Sequence, residues 1–111
     1  METLWLDPAG PKIDSETAAT DLIGDAFGAE AELVVIPVER LTEDFFTLRT
    51  RLAGEIAQKF VNYRLRLAIV GDISAYEARS EALRDFVRES NRGRHLWFVP
   101  TAEALSERLN G

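Results

Sequence analysis

Short continuous apolar runs alternate along this chain with stretches in which apolar residues return every three or four positions. Leu4-Trp5-Leu6 is the first run, and Asp7-Pro8-Ala9-Gly10-Pro11, residues that fix or free the backbone, stop it; we read a strand and a loop. From Ser15 the period becomes helical. Ala18, Ala19, Leu22, Ile23, Ala26 and Phe27 share a face, Ser15 or Asp14 stands at the cap, and Gly28 occupies the place of a left-handed closing residue. Leu33-Val34-Val35-Ile36 is continuous, rich in β-branched residues and ended by Pro37, as a strand covered on both faces should be.

The next helical pattern is the longest. Thr42 stands at its cap, with Glu43 and Asp44 in a first turn where the helix dipole favours anions. Leu41, Phe45, Leu48, Leu52, Ile56 and Phe60 fall three or four apart, and Phe46, Ala53, Ala57 and Val61 widen the stripe, which predicts one long, deeply buried helix. Gly54 costs about 1 kcal/mol against alanine in a helix interior and so predicts close approach of another backbone or a ligand, packing being the simpler of the two.

Leu65-Arg66-Leu67-Ala68-Ile69-Val70 reads as a strand stopped by Gly71-Asp72, and Ile73 to Arg79 as a connecting loop. Ser80 caps a helix that turns Ala82, Leu83, Phe86, Val87 and Ser90 inward and ends at Asn91 and Gly93. Leu96-Trp97-Phe98-Val99 is the last strand, Pro100 breaks it, and Thr101 caps a short closing helix through Ala102, Leu105 and Leu109. The order is β-α-β-α-β-α-β-α. With short loops and right-handed crossovers this predicts a single α/β domain, residues 1–111, with about four mainly parallel strands flanked by helices. The Arg66, Ala68, Val70 row is the lightest in apolar bulk and marks the more thinly covered face.

Composition narrows the chemistry. Absence of cysteine excludes disulfides, thiolate catalysis and every cysteine-held zinc or iron–sulfur site, and one histidine, His95, cannot make a multi-histidine metal site. The 13 Lys+Arg against 19 Asp+Glu give a net charge of −6, which repels a polyanionic duplex at long range, so no nucleic-acid partner is expected. The apolar runs fall far short of the roughly 20 residues of a membrane span, and the amino end shows no leader pattern. A cytoplasmic protein without membrane contact or cofactor is expected. No Walker-type loop and no GxGxxG follow the strands.

In parallel sheets ligands bind where the carboxyl ends of strands and the amino ends of helices converge. That nominates Asp72 and Ser74, with Glu43 and Asp44 from the neighbouring loop, as an acidic crevice for a small ligand or cation, or a hydrolase-like site with Asp72 as base. Each residue also has a structural explanation, because Asp and Ser after glycine bond their own turn and acids in a first helical turn complement the dipole. Ser74 and Ser80 are candidate phosphorylation positions, with capping the simpler role for Ser80. No catalytic triad is visible, His95 reads as structural, and the sequence leans away from an enzyme. Basic residues gather at the other end of the sheet, as Lys59, Arg64 and Arg66 and again as Arg88, Arg92, Arg94 and His95; dipole complementation accounts for their place. Arg88, Ser90, Asn91 and Arg92 nonetheless form a donor-rich surface suited to an acidic partner or phosphate.

Several motifs occur together in order: Leu41-Thr42-Glu43-Asp44-Phe45-Phe46, Arg51-Leu52-Ala53-Gly54-Glu55-Ile56, Gln58-Lys59-Phe60-Val61-Asn62-Tyr63, Ala68-Ile69-Val70-Gly71-Asp72-Ile73-Ser74 and Leu83-Arg84-Asp85-Phe86-Val87-Arg88-Glu89-Ser90-Asn91-Arg92-Gly93. In these the chain resembles, from about Asp21 to its C-terminus, the bacterial family catalogued as domain of unknown function 4180. The resemblance implies a small cytoplasmic α/β domain without assigned activity, related in fold to STAS-like anti-sigma-factor antagonists, which act through partners. In those antagonists a serine after the central strand is a phosphoswitch; the matching region is Gly71 to Ser80, without their Asp-Ser-Ser/Ala-Gly motif. Arg51, Gly54, Glu55, Lys59, Asn62 and Tyr63, with Arg84, Asp85, Glu89, Ser90 and Asn91, carry more polar identity than a core requires and suggest a buried network or a self-association face. The expectation is a non-enzymatic regulatory or interaction module that binds a protein partner or a second copy of itself as a homodimer; the alternative is the acidic crevice.

Overall fold

A computed structural model describes residues 2–110. Its strands are β1 (Thr3–Trp5), β2 (Leu33–Pro37), β3 (Arg66–Val70) and β4 (Leu96–Val99), and its helices are α1 (Glu16–Gly28), α2 (Glu43–Phe46), α3 (Leu52–Asn62), α4 (Ser74–Ala78), α5 (Glu81–Arg92) and α6 (Ala102–Asn110). The strands are all parallel and lie in the order β1-β2-β3-β4. The α/β class and the four-stranded parallel sheet agree with the sequence reading. Among the described residues no helix is long and apolar enough to cross a membrane.

Sequential strand order decides the layering. A right-handed crossover between adjacent parallel strands puts its helix on one particular face, so three such crossovers in a row put every connecting helix on the same side. There, Val34, Ile36, Leu67, Ile69, Leu96 and Phe98 of the sheet form the main core with Leu22 and Ile23 of α1, Phe45 of α2, Ile56 and Phe60 of α3, and Leu83 and Val87 of α5. On the other face, among the described residues, α6 is the cover: Leu105 packs over Leu33, Val35, Ala68, Trp97 and Val99. Both faces are covered, and the thinner cover lies over the Arg66-Ala68-Val70 row. Trp97 sits on this face with the guanidinium carbons of Arg66 and Arg108 4.3 and 4.2 Å from its ring centroid, and its Nε1 donates to the Gly93 carbonyl at 2.8 Å.

Three caps are made as the sequence suggests. Ser15, Ser80 and Thr101 accept from the amides of Ala18, Leu83 and Ala104 at 3.1, 3.1 and 3.0 Å. The long helix is not continuous. α2 ends at Phe46, a one-turn segment spans Leu48–Thr50, and α3 starts after Arg51, whose φ of 64° is left-handed. Threonine hydroxyls satisfy carbonyls at the break: Thr47 Oγ1 donates to the Glu43 carbonyl, and Thr50 Oγ1 to the carbonyls of Asp44 and Thr47. Thr42 occupies the cap position of α2 without capping, and its buried Oγ1 has no partner. Gly28 is the last residue of α1, and Glu30 takes the left-handed conformation instead, with φ 56°. The segment after Ile73 is helical over Ser74–Ala78 rather than loop. Among the described residues nothing lies within 4 Å of the position a Cβ on Gly54 would occupy, so none of them packs closely on it.

Candidate functional site

At the carboxyl end of β3 the chain turns through Gly71, whose φ of 144° only glycine adopts easily. The turn is closed by Asp72, whose Oδ1 accepts from the Ser74 amide at 2.9 Å. Hydrogen bonding from the Ser74 hydroxyl, and secondarily from its amide, holds the Asp72 carboxyl below its ordinary value of 3.8. The folded protein therefore favours the ionised form. Its contribution to stability is present above the unfolded value and is lost as pH falls through the lower folded one. A carboxyl-carbon NMR titration is expected to place the Asp72 midpoint below 3.8 and to move it upward in Ser74→Ala; an unmoved midpoint would refute the hydroxyl's part.

Asp72 and Ser74, with Glu77, Asn91 and Pro100, line a cleft of about 270 Å³ between the ends of β3 and β4. Glu43 opens onto a different cleft, of about 420 Å³, beside Arg49, Arg79 and Ser80. Tyr76 of α4 walls that second cleft and is stacked on Phe46 with ring centroids 4.3 Å apart. Asp44 is exposed, and its backbone carbonyl receives the Thr50 hydroxyl. Among the described residues no three histidine, aspartate or glutamate side chains come together as a metal site. The acidic crevice is thus divided between two openings.

The donor-rich face of α5 separates in the same way. Arg88 pairs with Asp85 at 2.5 Å and Arg92 with Glu89 at 3.3 Å, both exposed i, i+3 pairs. Ser90 is half-buried. Asn91 points at β4: its Nδ2 donates to the Phe98 carbonyl at 3.2 Å and its Oδ1 accepts from the Phe98 amide at 2.7 Å. Its side-chain amide stands in for a neighbouring strand at the sheet edge.

A different opening runs along the main helical layer. α3 packs on α1 and α2, and α5 packs on α4 and β4. Between them, Leu48, Arg51, Gly54, Glu55, Gln58 and Phe86 line one stretch of a groove. Ala57, Phe86, Ser90, Gly93 and Leu96 line the next, so Phe86 is common to both. The floor is apolar and the rim charged. Sequence reasoning assigned Leu48 and Phe86 to buried stripes, whereas both are half-buried at this groove. The available signal was Gly54, which opens the groove where a side chain would narrow it.

The family model described as "Domain of unknown function (DUF4180)" matches residues 1–109. No curated protein and no solved structure matches the chain.

Proposed function

Since the chain belongs to the DUF4180 family, whose description assigns no activity, we propose from its geometry that it is a non-enzymatic protein-interaction module that docks a partner chain in the α3–α5 groove. The observation that carries this is Gly54. A glycine inside a helix costs about 1 kcal/mol relative to alanine, and it is ordinarily explained by something that approaches too closely for a Cβ. Among the described residues nothing does so. An approach from outside supplies the missing reason, and the apolar floor beside Gly54 supplies the surface such an approach would cover. The carboxylates of the acidic crevice open onto separate clefts, which gives the enzymatic alternative no comparable support.

Gly54→Ala is expected to raise stability by about 1 kcal/mol, because the added methyl meets nothing. Gly54→Trp is expected to leave the fold intact and fill the groove. With a photo-cross-linking residue at Gln58 in intact cells, a discrete adduct should form and should vanish in the Gly54→Trp background. An adduct pattern identical to that from a residue at Glu103, on the opposite face of the sheet, would end this reading.

A further inference from the structure

The α3–α5 groove does not end blindly. Past Ser90 and Gly93 its wall is formed by Arg94 and His95, and these two residues also line a cleft of about 350 Å³ with Val61, Arg64, Leu65 and Arg66. An apolar groove therefore opens directly into a basic cleft at the amino ends of β3 and β4. The chain as a whole carries a net charge of −6, so this concentration of cations runs against its average.

Helix dipoles account for only part of it. Each helix carboxyl end carries an effective charge of roughly −0.5, so α3 and α5 together offer roughly −1 to the guanidinium groups of Arg64 and Arg94. About one positive charge is left over by the same reckoning. The guanidinium groups of Arg64 and Arg94 enter no ion pair or hydrogen bond among the described residues. Arg66 is held in place, its Nε donating to the Arg94 carbonyl at 2.8 Å and its guanidinium resting over Trp97. Two unpaired guanidinium groups lining one cleft are placed to receive carboxylates, which such groups bind with directed hydrogen bonds.

Resting on the interaction reading above, we propose that the occupant of the groove is a peptide segment of a protein partner whose apolar side chains lie along Gly54 and Phe86 and whose adjoining acidic residues sit on Arg64 and Arg94. The apolar part supplies contact area; the acidic end fixes direction along the groove and hastens encounter.

A random peptide library selected on the intact protein tests this. Expected winners carry spaced apolar residues with two or more Asp or Glu on one side only. By fluorescence anisotropy, labelled winners should bind about tenfold or more weakly to Arg64→Glu and to Arg94→Glu, with affinity falling as salt rises, since both contacts are exposed charge pairs. Gly54→Trp should abolish binding. Circular dichroism melts confirm that each variant is folded. Winners that lack acidic residues, or that ignore both arginine substitutions while still failing on Gly54→Trp, overturn the acidic end and leave the groove standing. Winners indifferent to Gly54→Trp, or a library without any enriched peptide, overturn the groove reading and this inference with it.

Discussion

Gly71→Ala is expected to destabilise the protein by about 3 kcal/mol or more, through two effects that act together. A φ of 144° lies in a region that side chains rarely adopt, which costs on the order of 1–3 kcal/mol. A Cβ there would also stand 2.5 Å from Val38 Cγ2 and 2.8 Å from Val38 Cβ, well inside contact distance. Overpacking of that kind typically costs a further 1–3 kcal/mol or so. For a domain of about this size the sum corresponds to a fall in Tm on the order of 10 °C or more. The double variant Gly71→Ala, Val38→Ala probes the packing part, because it removes the contact with Val38 Cγ2 while the contact with Val38 Cβ and the strained backbone remain. Partial recovery in a thermal melt is the expected outcome, and a single variant that melts within about 2 °C of the parent would contradict both effects.

The second large effect is at Asn91. Replacing it with alanine removes both hydrogen bonds to Phe98 and leaves that residue's amide and carbonyl without partners at the sheet edge. At about 1 kcal/mol for each bond the loss is roughly 2 kcal/mol, and an exposed strand edge invites pairing with another chain. Exchange of the Phe98 amide should therefore accelerate by roughly thirtyfold, since each 1.4 kcal/mol or so is a factor of ten, and light scattering should show concentration-dependent association. Asn91→Asp keeps the acceptor for the Phe98 amide and loses the donor, so it should fall between the two. Unchanged exchange in Asn91→Ala would show that the edge is protected by something else.

Asn91 also illustrates how far the sequence could be read. Its type and its position in the last turn of α5 mark it as polar and available, which made it a candidate for contacting a partner. What decides its role is the strand that follows, brought back beside the helix end by the connection through Gly93. Local chemistry was legible where it is truly local: the Ser15, Ser80 and Thr101 caps each involve an amide three residues on, and the strand Leu96–Val99 is bounded by its own Pro100. The break between α2 and α3 was hidden because Leu48 and Leu52 keep the helical spacing through it, while the threonine hydroxyls there bond to carbonyls the pattern does not reveal. The five residues of α4 are too few to show a period.

The candidate site was legible in part for a related reason. Gly54 announced that something comes close, but the direction of approach depends on what stands opposite, and only the fold shows that Gly54 faces an opening it shares with Phe86 of α5. The basic residues were visible as two separate groups in the chain. That Arg64 and Arg66 of the one share a cleft with Arg94 and His95 of the other follows from β3 and β4 being neighbours.

The strand order has a further consequence for how the protein is made. Because each strand pairs with the one just before it in the chain, the sheet can be assembled in the order in which the ribosome delivers it, each new strand docking on the last with its helix already in hand. The back face does not share this advantage. Leu33, Val35 and Ala68 are in place early, and α6, which covers them, is synthesised after all four strands. A nascent chain that has just released Val99 thus displays a finished sheet with one bare apolar side, and in that interval a chaperone has most to offer it.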